Sequence, residues 1–217
     1  MALTTQIRHV DYTVAYLAGL LQRQGVLRPE QVQQVVQQEP KLRADILREK
    51  VSGAEGRRRA HYNVTPAEVI DRLEFKTPAG ELVDEDVIMS AIAKDAGVAF
   101  EKPDPLELDM EVITQTMSRP FAQRHSCVPL RREDGRVVIA VDNPYDQLFL
   151  QQLHELIREE LVLVISAKSD ILRIITEMMY VDETASQDGV GLSGPELFPG
   201  FFEGKYAMLP GIGVWAR

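Results

Sequence analysis

Apolar positions along the first hundred residues recur at helical spacing. In DYTVAYLAGLLQRQG, Val14, Leu17, Leu20 and Leu21 share one helical face. Gly25 follows as the residue that best tolerates the left-handed position after a helix end, so a helix is predicted over 11–24. In VLRPEQVQQVVQQEP, Pro29 suits a first helical position, Val32, Val35 and Val36 form a stripe, and Pro40 is expected to stop it. These two helices read as a hairpin, and a third short helical run covers 41–51. Thr65 as cap, Pro66 at the first helical position and Glu68 after them make a capping box that opens another helix. Asp84, Glu85 and Asp86 crowd the first turn of the next, where the helix dipole favours acids; Val87, Ile88, Ala91 and Ile92 face inward and Gly97 closes it.

After Gly97 the pattern changes. Pro103 and Pro105 forbid helix, so the chain crosses extended between subdomains. A helical run over 110–124 precedes CVPLRREDGRVVIAVDNPYD, where Val128 to Arg131 and Arg136 to Val141 read as strands joined by a tight turn at Arg132-Glu133-Asp134-Gly135. A helix over 145–158 is expected to carry Leu148, Phe149, Leu153, Leu156 and Ile157 on one side. A buried-type strand over 161–165 and a last helix over 168–180, with Ile171, Ile174, Ile175 and Met178 inside, complete an α-β-β-α-β-α order. The 37 residues from Val181 hold 7 of the 14 glycines and neither period, so they read as an irregular tail.

The expected class is therefore α+β, a helical N-terminal subdomain followed by an α-β-β-α-β-α sandwich. Its expected divisions are a helical hairpin over 1–52, a basic linker over 53–63, a second helical segment over 64–109, the sandwich over 110–180 and the tail over 181–217. Length and a hydrophobic content of 45% suit one large or two small globular domains. The single cysteine, Cys127, excludes an intramolecular disulfide and suits a reducing compartment, which makes the cytoplasm the expected location. No apolar run reaches the roughly 18 residues of a membrane span, so membrane work would go through a partner. The net charge of −9 is uneven, since residues 1–75 hold 11 Lys+Arg against 9 Asp+Glu and the remainder 13 against 24. That balance argues against nucleic acid as a partner of the second part.

Candidate catalytic pairs find bland explanations. Asp142-Asn143-Pro144 has the composition of a turn, and Asp146 stands near a helix start; together they frame the turn into a helix. His125 and Cys127 lack a third orienting group, and His9, His61, His125 and His154 show no metal-ligand spacing. No catalytic residue, metal ligand or cofactor is assigned.

The order of motifs nevertheless resembles a family. Phe121-Ala122, His125, Val128-Pro129-Leu130, Gly135, Val137 to Pro144, Asp146, Val162 to Ala167, Ile171, Ile175 and Tyr180 look like the N-terminal domain of the type II secretion and type IV pilus assembly ATPases, the GspE/PilB superfamily. Glu81 to Phe100, Asp104-Pro105-Leu106, Leu108-Asp109 and Leu17 to Val32 are similar to it as well, so the resemblance covers roughly residues 12 to 180. It implies a non-catalytic docking or regulatory domain that binds the cytoplasmic domain of an inner-membrane secretion or pilus platform.

The resemblance also implies a ligand, because some members bind cyclic di-GMP through a repeated motif, Arg-Leu-Gly-x-x-Leu-x-x-x-Gly, in their N-terminal part. Here Tyr16 to Gly25 matches it at Leu21 and Gly25 and departs at the arginine and the first glycine, and Arg72-Leu73 opens a partial second copy. Leu17, Leu21, Arg23, Gly25, Arg57, Arg58, Arg59 and Arg72 are the candidate ligand residues, since planar guanidinium groups suit guanine and phosphate. An ATP hydrolase is the third reading. It would need a phosphate loop, and Gly200 to Tyr206 is one residue short between its glycines and has Tyr206 where a magnesium-binding hydroxyl belongs.

Overall fold

The computed structural model describes residues 7–51, 62–104 and 108–178. Most of the basic linker with Arg57, Arg58 and Arg59, the tail and the Gly200 to Tyr206 stretch lie outside the described residues. Among those described, eight helices and one four-stranded sheet form an α+β fold.

The helical part follows the sequence pattern closely. Helix α1 (Val14–Arg23) is capped by the Thr13 hydroxyl, which accepts from the Tyr16 amide, and buries Val14, Leu17, Leu20 and Leu21. Helix α3 (Pro66–Asp71) starts on the expected capping box of Thr65 and Glu68. Helix α4 (Glu85–Ala96) is capped by Asp84 and ends at Gly97. Helix α2 corrects the sequence reading, for it runs unbroken over Pro29–Val51 with Pro40 inside. An interior proline removes one backbone hydrogen bond and costs about 3 kcal/mol. Here Val35 before it and Ile46 after it lie buried in one core, with Leu42 packed against them, and that packing on α1 and α3 carries the helix across the break. The stripe is also narrower than expected, since Val36 is exposed.

The sheet has the order β1-β4-β3-β2, with β1 (Ala99–Phe100), β2 (Cys127–Glu133), β3 (Arg136–Val141) and β4 (Glu160–Ile165). β1 and β3 run parallel to β4, and β2 pairs antiparallel with β3. The extended segment after Gly97 is thus more than a crossing: it supplies an edge strand. The β2–β3 hairpin closes through Asp134 at φ 50° and Gly135 at φ 75°, the two positive angles a tight primed turn demands. On β2 the register slips between Pro129 and Arg131, as befits an edge strand whose proline has no N–H to donate.

The single helical run expected over 110–124 is two helices, α5 (Met110–Thr116) and α6 (Arg119–His125), because Ser118 and Pro120 restart the pattern at a new N-terminus. Helix α7 (Gln147–Leu156) buries Phe149 and Leu153, with Ile157 buried just beyond, whereas Leu148 and Leu156 point outward. Side chains four apart stack on one helical face, so 149, 153 and 157 take the sheet side and their neighbours cannot. Helix α8 (Lys168–Met178) buries Ile171, Ile174 and Ile175. Helix α4 packs on β1 and β4, and one continuous apolar core runs from α1 to α8.

Candidate functional site

Two polar knots sit where the helical part meets the sheet. The first lies at the carboxyl ends of the parallel strands, the place where open α/β sheets collect ligand-binding groups. Asp142 follows the end of β3 and is buried, and Lys168, also buried, opens α8 just after β4. The Lys168 ammonium donates to the Asn63 carbonyl and to Glu68 Oε2 at 3.1 Å, and stands 4.1 Å from the centroid of the Tyr62 ring. Glu68 also accepts from the Tyr62 hydroxyl and the Thr65 amide. Burial pushes its carboxyl up, but Lys168 and these hydrogen bonds outweigh burial and leave it below the ordinary range. Glu85 of α4 accepts from the Ser169 hydroxyl and amide, and burial raises its carboxyl above the usual value.

Asp142 is the most perturbed of these acids. Burial raises it to about 7, with Glu68 and Glu85 adding to the shift and Lys168 and the Ser126 hydroxyl opposing it. Facing it, the Tyr12 hydroxyl is buried without a hydrogen-bond partner and is raised by burial and by the Asp142 charge. The sequence reading placed Asp142 in the turn into a helix. The structure keeps it at the turn but buries it, because α3, α4 and the segment before α1 close over the strand ends. Asp146 does what was expected and caps α7, accepting from the Phe149 amide at 3.0 Å.

The second knot centres on Asp95 of α4. Its carboxylate accepts from the Tyr16 hydroxyl at 2.8 Å, the Tyr145 hydroxyl at 2.7 Å and, through both oxygens, the Arg8 guanidinium. Burial works against its charge, but the donors from Tyr145, Tyr16 and Arg8 win and hold it below its ordinary value. The rings of Tyr12 and Tyr16 pack against Tyr145 at 5.7 Å and 5.8 Å. This knot ties the N-terminal segment, α1, α4 and the β3–α7 connection together.

The candidate ligand residues border this second knot unevenly. Arg23, in the last turn of α1, holds its guanidinium 5.9 Å from the Tyr16 ring centroid. Gly25 is exposed beside it at φ 75°, and Gln24 donates from Nε2 to the Ala91 carbonyl at 2.9 Å. Leu17 and Leu21 are fully buried in the core beneath. Arg72 stands at the C-terminal cap of α3 and pairs with Glu49 of α2. The structure therefore brings Leu17, Leu21, Arg23 and Gly25 onto one end of α1 and leaves Arg72 on another helix with its own partner.

His125 and Cys127 are set to separate tasks. The His125 ring stacks on Phe149 at 5.0 Å, and burial and Arg124 lower its affinity for a proton. Cys127 is fully buried, its thiol is pushed up by burial, and it lies 3.7 Å from Met117 Sδ. A thiol so placed is a small core residue. No group of three or more His, Cys, Asp or Glu side chains placed to hold a metal ion occurs among the described residues.

Asp95, Tyr145 and Lys168 escaped the sequence reading. Only Lys168 left a signal, as a cation in the first turn of a helix, where the dipole disfavours it. Such a misfit implies a carboxylate partner, here Glu68, supplied from far away in the chain.

Residues 96–185 match the model of the MshEN domain. No curated protein is significantly similar to the chain. Among solved structures, MshE with cdg is similar at 13% identity and TM-score 0.48, over 75% of this chain and 97% of that one. The N-terminal domain of XpsE is similar in two crystal forms, at 17% identity and TM-score 0.43 over 77% and 96%, and at 21% and 0.39 over 74% and 92%.

Proposed function

We propose that this chain, whose residues 96–185 match the MshEN domain, is an N-terminal part of a GspE/PilB-type ATPase and works as a non-catalytic docking and regulatory module of a secretion or pilus assembly motor. The observation that carries the proposal is the MshEN match, which is to an N-terminal domain and not to a nucleotide-hydrolysing one. In this reading 1–52 is a helical hairpin, 53–63 a linker, 64–109 a second helical segment, 110–180 the sandwich and 181–217 a tail, and the sheet and the acidic helix faces offer the docking contact. The partner is the cytoplasmic domain of an inner-membrane platform, and the chain acts in the cytoplasm at that membrane. No helix among the described residues is long and apolar enough to cross a membrane itself. The titratable clusters support the proposal too, since Glu68, Glu85, Asp95 and Lys168 are engaged in joining α3 and α4 to α8 and to the β3–α7 connection. The test is a titration of the purified chain with the platform's cytoplasmic domain. Saturable binding without ATP turnover is expected, and absence of binding overturns the docking role.

A second reading, a cyclic di-GMP sensor, is favoured by one observation. Arg23 displays its guanidinium over Tyr16 beside the exposed Gly25, an arrangement suited to stacking on a guanine. The similar structure of MshE contains cdg, which suggests the ligand to try. Leu17 and Leu21 would support the site from the core, and Arg57, Arg58, Arg59 and Arg72 would supply further charge. Isothermal titration with cyclic di-GMP, with ATP as control, decides it: binding lost in Arg23→Ala and Arg72→Ala supports the sensor, and no heat removes it. The hydrolase reading falls if no ATP turnover depends on Lys205, the lysine of the Gly200 to Tyr206 stretch.

A further inference from the structure

The long helix α2 has two apolar faces, and the fold uses one. Toward α1 and α3 it turns Val35 and Ile46, both buried, with Val32 and Leu42 beside them. About 130° around the axis, at 100° per residue, a second stripe runs through Val36, Pro40, Ala44 and Leu47. All four are exposed, Val36 at 47% and Leu47 at 43%. The spacings of four, four and three residues keep the stripe straight over about 16 Å of helix. It lies outside residues 96–185, so the family match does not account for it.

Charge decides what such a stripe can meet. Lys41 and Arg48 flank it on one side, Arg43 and Lys50 on the other. Arg43 is occupied by Glu39 at 2.9 Å and by the Val64 carbonyl, and Lys50 lies over the Tyr62 ring. Arg48 reaches Asp45 only at 3.5 Å with its side chain 76% exposed, and Lys41 is exposed with no ion pair among the described residues. Of the carboxylates along this stretch, Glu39 is taken up by Arg43, and Asp45 and Glu49 lie about 100° or more from the nearest member of the stripe at the helical 100° per residue. Two-fold pairing with a second copy about the middle of the stripe would set Lys41 against Lys41 of the other chain, a like-charge contact that opposes association.

We propose that this face of α2 docks an amphipathic helix of a partner protein whose leucine-type side chains are edged by carboxylates. The proposal rests on the docking role above and adds a further surface and the chemistry of its partner. Apolar anchors laid along the stripe supply the contact area, and the flanking carboxylates set register against Lys41 and Arg48.

The probe is a synthetic helical peptide with leucine on one face and glutamate on its edges, titrated against the full chain by fluorescence anisotropy. Saturable binding is expected, weakened about tenfold or more at roughly 0.5 M salt, where charge attraction is screened, and equally by the double variant Val36→Glu, Leu47→Glu. Both positions are exposed, so circular dichroism should show that variant folded. The same peptide with lysine for glutamate should not bind. The proposal is overturned by no saturable binding, by equal binding of the two peptides, or by a double variant that binds as well as the native chain. A dimer seen by light scattering and dissolved by the double variant would assign the stripe to a second copy and likewise overturn it. If the platform's cytoplasmic domain binds native chain and double variant equally, α2 is excluded while the docking role stands.

Discussion

At the scale of single residues, Asp142 shows how far burial can move a group whose sequence context is ordinary. In the folded chain it titrates at about 7, against 3.8 for the free side chain. Between those values the folded state holds a proton that the unfolded state has released, so this group's contribution to stability falls as pH rises and levels off above about 7. At about 1.4 kcal/mol per unit the effect is bounded at roughly 4 kcal/mol. Asp142→Asn keeps a hydrogen-bonding group without the charge. It should therefore be more stable than the native chain by about 1–3 kcal/mol at pH 8, with the gap closing toward pH 4, as read by urea unfolding at several pH values. Asp95 is the opposite case, because three donors hold its charge in place. Asp95→Asn should cost about 2–3 kcal/mol by the same measurement at neutral pH, the worth of hydrogen bonds to a charged acceptor. A loss below about 0.5 kcal/mol would mean that Arg8, Tyr16 and Tyr145 find equal partners in water.

At the scale of elements, proline and glycine act oppositely on expectation. Gly135 behaves as its sequence context promises, since Asp134-Gly135 supplies both positive φ angles of the hairpin turn. Gly135→Ala should cost about 1 kcal/mol, visible as a lowered melting temperature with the fold retained. Pro40 behaves against expectation. Val35, Leu42 and Ile46 hold α2 to its neighbours on both sides of it, and the helix tolerates the missing hydrogen bond. Pro40→Ala should restore that bond and raise stability by about 1–2 kcal/mol, somewhat less than the full helix-propensity difference because proline also restricts the unfolded chain. A thermal melt followed at the helical dichroism band reads the outcome, and a destabilised variant would mean that the proline ring itself packs. In α7 the same logic of faces sends Leu148 outward at 73% exposure while Phe149 is buried. A run of apolar residues wider than one face cannot all be core.

At the scale of the whole molecule, the helical part and the sheet are fastened by the Lys168–Glu68 pair, the Glu85–Ser169 contacts and the Asp95 knot, over one continuous apolar core. Heat should therefore unfold the described residues in a single transition, with coincident curves from far-ultraviolet dichroism and tyrosine fluorescence. Two separated transitions would show the divisions of the chain to be independent folding units. Lys168 is the fastener whose removal is felt most, since it leaves the buried Glu68 charge without its cation. Lys168→Met should cost about 3–5 kcal/mol, and the double variant with Glu68→Gln should recover part of it.

The sequence by itself determined the elements and their order: the α1 face, the Thr65 capping box, the acidic start of α4, the β2–β3 hairpin and the α7–β4–α8 succession. Each is set by backbone geometry and side-chain period within about ten residues, so local chemistry suffices. The family resemblance was legible for the same reason, as an order of local motifs. Only the tertiary structure decided that β1 joins the sheet, that Pro40 lies inside a helix, that Asp142 is buried beside Lys168, and that Arg23 and Arg72 stand apart. Those outcomes depend on partners as far apart as Asn63 and Lys168 or Tyr16 and Asp95. Burial and pairing at that distance are properties of packing, which no local period encodes.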